Sequence, residues 1–391
     1  MAKYVAMTGN TAAYTGAALC RPDLIAAYPI TPQSSVVEGL AGLVYNGKLD
    51  SRFVQVESEH SAMSVVQGAA AAGGRVFTAT SAQGLALMYE PYFRMSTLRI
   101  PMVMAIATRE MTSPETIWSG QQDAMSVREA GWIQMYCDSN QEILDMMIQA
   151  YMIAEDERVH IPVNVCYDGF YSSHLIEGLE VPSQAEVDDF LPPYCGYGYL
   201  DPGHPQALDP LTPGNLMMRY RRNHLHAMKA AQAVIEEVDE KFAEKFGRSY
   251  GGLIEEYRTD DADVVLITIG GMSGTGKDAV DAAREKGTKA GLIRLRFVRP
   301  FPAVRLADAL AGKKAFAVVD RSVSFGWNSG PMYMETKAAV SDSAENYASF
   351  SAIGGLGGAD LRYEHMLSCI EKLETLKNEP GEKETVWLMN D

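Results

Sequence analysis

Apolar runs of strand length alternate with helical segments along the first half of the chain. The continuous apolar runs predict buried strands at 24–30, 53–56, 75–80, 102–107, 132–136 and 163–167. The segments between them predict helices at 61–72, 82–94 and 141–154. This alternation is typical of a parallel sheet that is covered by helices on both faces.

A second α/β pattern follows a segment that is rich in proline and glycine. Periodicity is lost between 192 and 213, and an amphipathic helix with Ala227 and Phe242 on its apolar face then ends at Gly247. Further strands are predicted at 264–269, 291–297, 315–320 and 350–353, with a helix after Gly276. The chain is therefore predicted to be an α/β protein of two separate domains, 1–225 and 255–391, joined by a connecting helix and linker at 226–254.

Charge and composition restrict the classes of partner. The 391 residues carry a formal net charge of -16, which argues against binding to nucleic acid or to an anionic membrane surface. There is no apolar run of about 18 residues, and residues 1–10 lack the order of a signal peptide, so a cytoplasmic protein is expected. The five cysteines have no metal-site or cluster spacing, and most of them are expected to pack in the core.

Polar side chains follow three of the predicted strands. Thr31 lies between two prolines after the first strand, Glu59 begins a helix of small residues, and Arg109 follows a buried strand. Ligands of open α/β sheets bind at such strand ends. Each residue also has a structural alternative, since Thr31 can cap a helix, Glu59 can interact with a helix dipole, and Arg109 can pair with an acidic neighbour, Glu110 or Asp123.

The segment 271–278 resembles a phosphate-binding loop. It reads Gly-Met-Ser-Gly-Thr-Gly-Lys-Asp, but Asp278 stands where that loop needs a Ser or Thr hydroxyl for magnesium. We therefore favour a strand-to-helix turn without a nucleotide and keep a nucleotide-dependent switch as the alternative.

Histidines offer two weaker sites. His60 lies beside two glutamates, but no second His is predicted at a neighbouring strand end, so no metal site is predicted. A basic group, which could hold a phosphate-bearing ligand or form a solvated helix start, consists of Arg219, Arg221, Arg222, His224 and His226.

Several ordered motifs resemble one family. The chain resembles the α subunit of the thiamine-diphosphate-dependent 2-oxoacid:ferredoxin oxidoreductases, most closely the pyruvate type. The motifs that carry the resemblance are Tyr-Pro-Ile-Thr-Pro at 28–32, Val-Glu-Ser-Glu-His-Ser-Ala at 56–62, Phe-Thr-Ala-Thr-Ser-Ala-Gln-Gly-Leu at 77–85, Gly-Trp-Ile-Gln at 131–134, Asp-Gly-Phe at 168–170, Arg-Pro-Phe-Pro at 299–302, Asp-Arg at 320–321, Ser-Phe-Gly at 324–326 and 354–358.

The resemblance implies a pyrimidine-binding domain followed by a domain of the transketolase C-terminal type. Glu59 would hydrogen-bond the aminopyrimidine ring of thiamine diphosphate and favour the tautomer that removes a proton from the thiazolium ring. Thr31 and Arg109 would bind the carboxylate and ketone oxygens of the substrate. The remaining residues expected at the cofactor are Tyr28, Pro29, Ser81 and Gln83.

The resemblance also implies partner subunits. The chain lacks the Gly-Asp-Gly signature that binds Mg²⁺ and the diphosphate, and it lacks cysteine sets for iron–sulfur clusters. In the family these functions belong to a β subunit and to γ and δ subunits that carry [4Fe-4S] clusters. Coenzyme A would take the acyl group, and ferredoxin or another acceptor would take the electrons.

One departure from the family pattern concerns the substrate. Ile117 and Trp118 are followed by Ser-Gly-Gln-Gln, whereas pyruvate-type members usually have an acidic residue in this segment. Pyruvate is the first choice, and a larger 2-oxoacid such as phenylglyoxylate or a branched-chain acid is the competitor. Thr31 argues against oxalate, because oxalate-type relatives have arginine there. A non-catalytic scaffold subunit is the remaining alternative.

Overall fold

The computed structural model describes residues 3–196 and 198–390. In the first half, the strands are β1 (Lys3–Thr8), β2 (Leu24–Ala27), β3 (Arg52–Gln55), β4 (Val76–Thr80), β5 (Val103–Thr108), β6 (Ile133–Tyr136), β7 (Val163–Asp168) and β8 (Ile176–Val181). The helices are α1 (Gly9–Leu19), α2 (Ser34–Tyr45), α3 (Glu59–Ala71), α4 (Ala82–Leu87), α5 (Tyr89–Thr97), α6 (Gln122–Ser126), α7 (Asn140–Glu155), α8 (Tyr171–His174), α9 (Gln184–Phe190) and α10 (Gly214–Phe246).

The first sheet is parallel between β6 and β3. Its strand order is β12-β6-β7-β5-β4-β2-β3. Strand β12 (Phe297–Arg299) comes from the second half of the chain. Met104 and Ile106 of β5 pack into one hydrophobic cluster, whereas Val103, Ala105 and Ala107 pack into the other. Because successive side chains of a strand point to opposite faces, this division shows that both faces of the sheet are covered. The predicted α/β fold is confirmed.

The second half forms its own sheet. Its elements are β9 (Ile254–Tyr257), β10 (Val264–Ile269), α11 (Met272–Glu285), β11 (Ala290–Leu295), β12 (Phe297–Arg299), α12 (Ala303–Leu310), β13 (Ala315–Asp320), α13 (Pro331–Ala339), β14 (Ala348–Gly354), α14 (Tyr363–Leu376), β15 (Gly381–Glu382) and β16 (Val386–Leu388). The order is β15-β14-β13-β10-β11-β9, and β16 also pairs with β14. The strands predicted at 264–269 and 315–320 are confirmed to the residue.

The two halves of the chain are joined by a shared strand and a buried ion cluster. The predicted strand 291–297 is two strands, because β11 ends at Leu295 and β12 crosses to pair with β6 of the first sheet. At the crossing, Arg294 and Arg296 bond the buried Glu142 of α7 at 2.5 and 2.9 Å. A buried carboxylate between two guanidiniums joins the halves through polar contacts as well as through packing.

Helix α10 is longer than the sequence predicted. It begins at Gly214, directly after the Pro/Gly-rich segment and before the predicted connecting helix and linker at 226–254, and it ends at Phe246. The C-cap residue Gly247 has a φ of 73°, the left-handed conformation typical of a helix C-terminus. Its first turns are largely exposed and therefore show no apolar period in the sequence. The proposed domain limits at 225 and 255 stay a prediction.

Two other sequence expectations concern the burial of the cysteines and membrane-spanning helices. Cys20, Cys137, Cys166 and Cys369 are buried and Cys195 is exposed, which confirms that most cysteines pack in the core. Within residues 3–196 and 198–390, no helix is both long and apolar enough to cross a lipid bilayer.

Candidate functional site

The sheet order places the predicted site residues along one edge. Strands β2, β4 and β5 are neighbours, and β3 lies next to β2. Because these strands are parallel, their carboxyl ends meet at the same edge. Thr31, Glu59 and Arg109 follow β2, β3 and β5, so the topology brings the three sequence-predicted residues to one side of the sheet.

Glu59 is the first residue of α3 and is buried. The Ser58 hydroxyl caps this helix by accepting from the Ser61 amide at 3.2 Å, and Glu59 is 6% exposed. Burial raises the pKa of the Glu59 carboxyl above its usual value. Among the described residues, no cation lies within ion-pair distance of this carboxylate, so the protein surroundings favour a proton or a hydrogen-bond donor there.

Glycine 84 leaves room for the Glu59 carboxylate. A Cβ atom built on Gly84 of α4 would lie 2.6 Å from Glu59 Oε1 and 2.6 Å from Thr80 Oγ1. Real Cβ atoms do not approach other atoms so closely, so any larger residue would displace the carboxylate. Gly84 thus lies directly against the side chains of Glu59 and Thr80.

Two polar atoms of the segment that leads into Gly84 lack partners within the described part of the chain. The Thr80 hydroxyl and the Gln83 side-chain carbonyl are both buried without a hydrogen bond. Buried polar atoms nearly always have a partner, and an exception calls for an explanation such as a bound ligand. The acidic, hydroxyl and amide groups together fit a heterocycle that both donates and accepts hydrogen bonds, as an aminopyrimidine does.

Arg109 and Thr31 are in direct contact. Arg109 Nη1 donates to the Thr31 carbonyl at 3.0 Å, and Arg109 Nε donates to the Thr116 carbonyl at 3.0 Å. The guanidinium also pairs with Glu115 at 3.4 Å, and not with Glu110 or Asp123 as the alternatives supposed. Thr31 is not a helix cap, because α2 begins at Ser34 with Gln33 in the cap position.

The remaining cofactor-binding predictions lie at the same edge but differ in exposure. Tyr28 is 37% exposed, and Pro29 beside it is exposed. Ser81 is fully buried, and its hydroxyl donates to the Ala107 carbonyl at 2.7 Å, which ties β4 to β5. The Gln83 amide donates to the Thr112 hydroxyl. The structure thus brings Tyr28, Pro29 and Gln83 to the rim and places Ser81 behind it.

Asp123 links two strand ends of the site through backbone hydrogen bonds, a role that the sequence did not predict. Its carboxylate is fully buried and accepts from the backbone amides of Ala82 at 2.9 Å and Arg109 at 3.0 Å. Burial raises the pKa of Asp123 to about 7 in spite of these bonds. The partners are backbone groups from other strand ends, so no residue type in the sequence signals the contact.

The glycine-rich segment 271–278 does not form a phosphate-binding loop. Helix α11 already begins at Met272, and the Gly271 amide donates to Asp168 of the first half at 2.8 Å. Lys277 pairs with Glu255 at 2.5 Å. The segment therefore belongs to helix α11 and contacts the first half of the chain. The predicted position of the helix start, after Gly276, is wrong.

The histidine sites have structural roles. His224 is buried, and its Nε2 lies 2.8 Å from the Gly131 carbonyl, whereas His226 beside it is exposed. His60 is exposed and lies 3.6 Å from Glu90. Within the described ranges, no three His, Cys, Asp or Glu side chains are grouped as metal ligands.

Comparisons with known proteins match this chain to one family of domains over most of its length. Residues 15–240 match the thiamine-diphosphate-binding domain of the pyruvate flavodoxin/ferredoxin oxidoreductases, and residues 262–366 match core domain II of pyruvate:ferredoxin oxidoreductase. The α subunit of NADH-dependent phenylglyoxylate dehydrogenase from Aromatoleum evansii is 48% identical, over 99% of this chain and 95% of its own length. The PorA subunit of pyruvate synthase from Methanocaldococcus jannaschii is 42% identical, over 99% and 98%.

Solved structures show the same fold. The 2-oxoglutarate:ferredoxin oxidoreductase from Magnetococcus marinus superposes with a TM-score of 0.74 at 20% identity, over 95% of this chain. The present chain spans 65% of the length of that enzyme's chain. A split-gene transketolase superposes with a TM-score of 0.55 at 12% identity, over 95% of this chain and 99% of its own.

Proposed function

This chain belongs to the pyruvate flavodoxin/ferredoxin oxidoreductase family, and from that premise we propose that it is the pyrimidine-binding α subunit of a multi-subunit 2-oxoacid oxidoreductase. The observation that carries the proposal is the buried Glu59 carboxylate, which has no cationic partner among the described residues and lies directly against Gly84. Bound thiamine diphosphate supplies the carbon nucleophile and the electron sink that oxidative decarboxylation of a 2-oxoacid needs.

Glu59 is the proposed catalytic residue. A carboxyl group whose pKa is raised by burial can share a proton with a ring nitrogen at neutral pH. Thr80 and Gln83 offer the unsatisfied hydroxyl and carbonyl groups for the exocyclic amine of the ring. These groups would orient the pyrimidine ring, and Tyr28, Pro29 and Ser81 are the other proposed cofactor-binding residues.

Arg109 and Thr31 are the proposed substrate-binding residues. A guanidinium has five N–H donors, and three of them are engaged by Thr31, Thr116 and Glu115. The others can bind a substrate carboxylate at the strand edge. The Thr31 hydroxyl belongs to an exposed residue and can approach the ketone oxygen.

Partner chains supply what this chain lacks. The two relatives are named as subunits, so we propose a hetero-oligomeric enzyme. A β subunit would bind Mg²⁺ and the diphosphate, and γ and δ subunits would carry the [4Fe-4S] clusters. Coenzyme A, which is bound in the similar enzyme of Magnetococcus marinus, is the proposed acyl acceptor. Ferredoxin or NAD would receive the electrons, and the complex would act in the cytoplasm.

The substrate is proposed to be pyruvate, with phenylglyoxylate as the second candidate. The second candidate is favoured by the 48% identity to a phenylglyoxylate dehydrogenase subunit and by an aromatic pair at the site. Trp118 is 50% exposed, and its ring lies 4.4 Å from that of Phe170. A panel of 2-oxoacids tested on the purified complex, with coenzyme A and a one-electron dye, distinguishes the two.

The proposed role of Glu59 is tested by Glu59→Gln in the assembled complex. Glutamine keeps the shape but cannot hold the proton, so 2-oxoacid oxidation should fall about 100-fold or more. Glu57→Gln is the matched control, because Glu57 is exposed and lies two residues away. A non-catalytic scaffold subunit would keep full activity in both variants. Tight magnesium-dependent ATP binding by the isolated chain would support the nucleotide-dependent switch instead.

A further inference from the structure

A loop of the first half carries the contacts that hold Arg109. We call residues 110–121, between β5 and α6, the substrate loop. The Thr116 carbonyl accepts from Arg109 Nε at 3.0 Å, and the Trp118 carbonyl accepts from the Glu110 amide at 3.2 Å. The direction of the guanidinium therefore depends on where the substrate loop lies.

The second half of the chain contacts this loop through a turn of glycines. We call residues 354–358, after β14, the glycine turn. The Gly358 amide donates to the Ser119 carbonyl at 2.7 Å, and the Gly358 carbonyl accepts from the Tyr171 hydroxyl at 2.8 Å. Gly358 is thus fixed on both of its backbone groups to the first half.

The contact requires glycine for two reasons. Gly358 has a φ of 76°, which favours glycine, and a Cβ atom there would lie 2.6 Å from Trp118 Cβ. The glycine turn and the substrate loop are therefore so close at Gly358 that no side chain fits between them. A methyl group at this position must push Trp118 or the turn away.

The strand next to the glycine turn supports the base of the loop. The Arg321 carbonyl at the end of β13 accepts from the Gln121 amide at 2.9 Å. The Val323 amide donates to the Gln122 side chain at 2.8 Å. The Arg321 guanidinium, 4% exposed, reaches Asp168 at 3.2 Å and the Ser119 hydroxyl at 3.3 Å. Two segments of the second half thus contact consecutive parts of the substrate loop.

We propose that the glycine turn is a positioning element of the 2-oxoacid site, with Gly358 as its positioning residue. The turn holds Ser119 and Trp118, the loop then presents the Thr116 carbonyl to Arg109, and the guanidinium is held in the direction that binds the substrate carboxylate. The second half of the chain, which the resemblance likens to a domain of the transketolase C-terminal type, therefore takes part in substrate binding. This inference rests on the proposed function of Arg109.

The test is Gly358→Ala in the assembled complex, compared with Gly312→Ala. Gly312 lies in the same half and has a φ of 73°, but a Cβ atom there meets nothing within 4 Å. Both variants carry the same backbone strain, and only Gly358→Ala displaces the substrate loop. We expect the KM for the 2-oxoacid to rise about tenfold or more in Gly358→Ala, with a smaller change in kcat and unchanged thiamine diphosphate affinity. In Gly312→Ala the KM should stay within about twofold of the wild type.

Equal KM values in the two variants would overturn the inference, as would a Gly358→Ala effect confined to kcat or to cofactor affinity. If Gly358→Ala does not assemble, Tyr171→Phe decides, since it removes only the hydroxyl that bonds Gly358. A rise in KM of a few fold supports the positioning role, and a wild-type KM overturns it. A wild-type complex that oxidises no 2-oxoacid would overturn the proposed function together with this inference, whereas an active wild type with unaffected variants would overturn this inference alone.

Discussion

The Asp123 carboxylate accepts a hydrogen bond from the backbone amide of Arg109 at 3.0 Å, and the same oxygen accepts from Ala82 at 2.9 Å. One side chain therefore joins Arg109 at the end of β5, the proposed substrate-binding residue, to the start of α4, which carries Gly84 beside Glu59. The separation between the two proposed functional groups is set in part by this carboxylate.

Replacing Asp123 should disturb the site more than it disturbs the fold. Asp123→Asn puts an N–H donor against backbone N–H groups, so we expect lower affinity for both the 2-oxoacid and thiamine diphosphate. Asp320→Asn is the matched control. Asp320 is equally buried, and burial raises its pKa to about 7 as it does for Asp123. It accepts from two backbone amides, those of Met332 and Tyr333, whereas Asp123 accepts from those of Ala82, Arg109 and Ala124.

Steady-state kinetics and denaturation of both variants check this prediction. We expect similar losses of stability, of about 1–3 kcal/mol, because each variant weakens bonds of the same kind. Only Asp123→Asn should raise the KM for the 2-oxoacid. If Asp320→Asn raises it equally, Asp123 has no special relation to the site.

Gly84→Ala should weaken the binding of thiamine diphosphate. The new methyl group would lie 2.6 Å from Glu59 Oε1, so the carboxylate must move away from its position beside Gly84. Gly68→Ala in α3 is the control, since a Cβ atom there meets nothing within 4 Å and alanine favours a helix by about 1 kcal/mol. Titration of the complex with thiamine diphosphate should show weak binding for Gly84→Ala and normal binding for Gly68→Ala. Normal binding by both variants would remove Gly84 from the site.

The ion cluster between the two halves predicts a pH-dependent stability. Burial on its own would raise the pKa of the Glu142 carboxyl. The positive charges of Arg294 and Arg296 outweigh burial and lower this pKa to about 2. An unfolded glutamate has a pKa near 4.5, so this carboxylate stabilises the folded chain above that pH and loses its effect as the pH falls towards 2.

Glu142→Gln should therefore destabilise the chain by about 3 kcal/mol at pH 7, because it leaves two buried guanidiniums without their carboxylate. The difference from wild type should shrink as the pH falls from about 5 towards about 2, because the stabilisation is lost between the unfolded and the folded pKa of this carboxyl. Urea denaturation of both proteins at each pH measures this difference. A difference that stays constant over this range would mean that Glu142 is not ionised in the folded chain.

Trp118 should matter more for large substrates than for pyruvate. Its half-exposed ring packs on Phe170 at 4.4 Å beside the proposed carboxylate site. Trp118→Ala should raise the KM for phenylglyoxylate by about tenfold and that for pyruvate by less, because a stacked aromatic contact contributes about 1 kcal/mol. Tyr45→Ala is the control, since Tyr45 is an exposed aromatic residue at the end of α2. Equal effects on the two acids would place the substrate side chain elsewhere.

Much of the fold could be predicted because buried parallel strands are continuous apolar runs. The strands at 264–269 and 315–320 are bounded by polar residues, so their limits were visible. By contrast, β1 and β8 pair only with each other and are largely exposed, so their composition gave no strand signal. The crossing of β12 to the first sheet could not be seen, because nothing in three residues indicates which sheet they join.

The site was predictable only where side chains carry the chemistry. Glu59, Thr31 and Arg109 follow strands and are polar, and these features are readable in the sequence. Asp123 and Gly358 act through backbone amides and carbonyls that are distant in the sequence, so their residue types carry no sign of the contact. In the 271–278 segment the residue types point to the wrong local structure. Its glycines suggest a loop, whereas helix α11 already begins at Met272.

The central claim is that Glu59 binds the pyrimidine ring of thiamine diphosphate at an interface with a partner subunit. An experimental density map of the assembled complex with the cofactor bound tests it most directly. The account predicts a Glu59 carboxylate oxygen at hydrogen-bond distance, about 2.7 Å, from a ring nitrogen, with Gly84 behind the carboxylate. A map in which the ring lies elsewhere and Glu59 keeps only protein neighbours would contradict it.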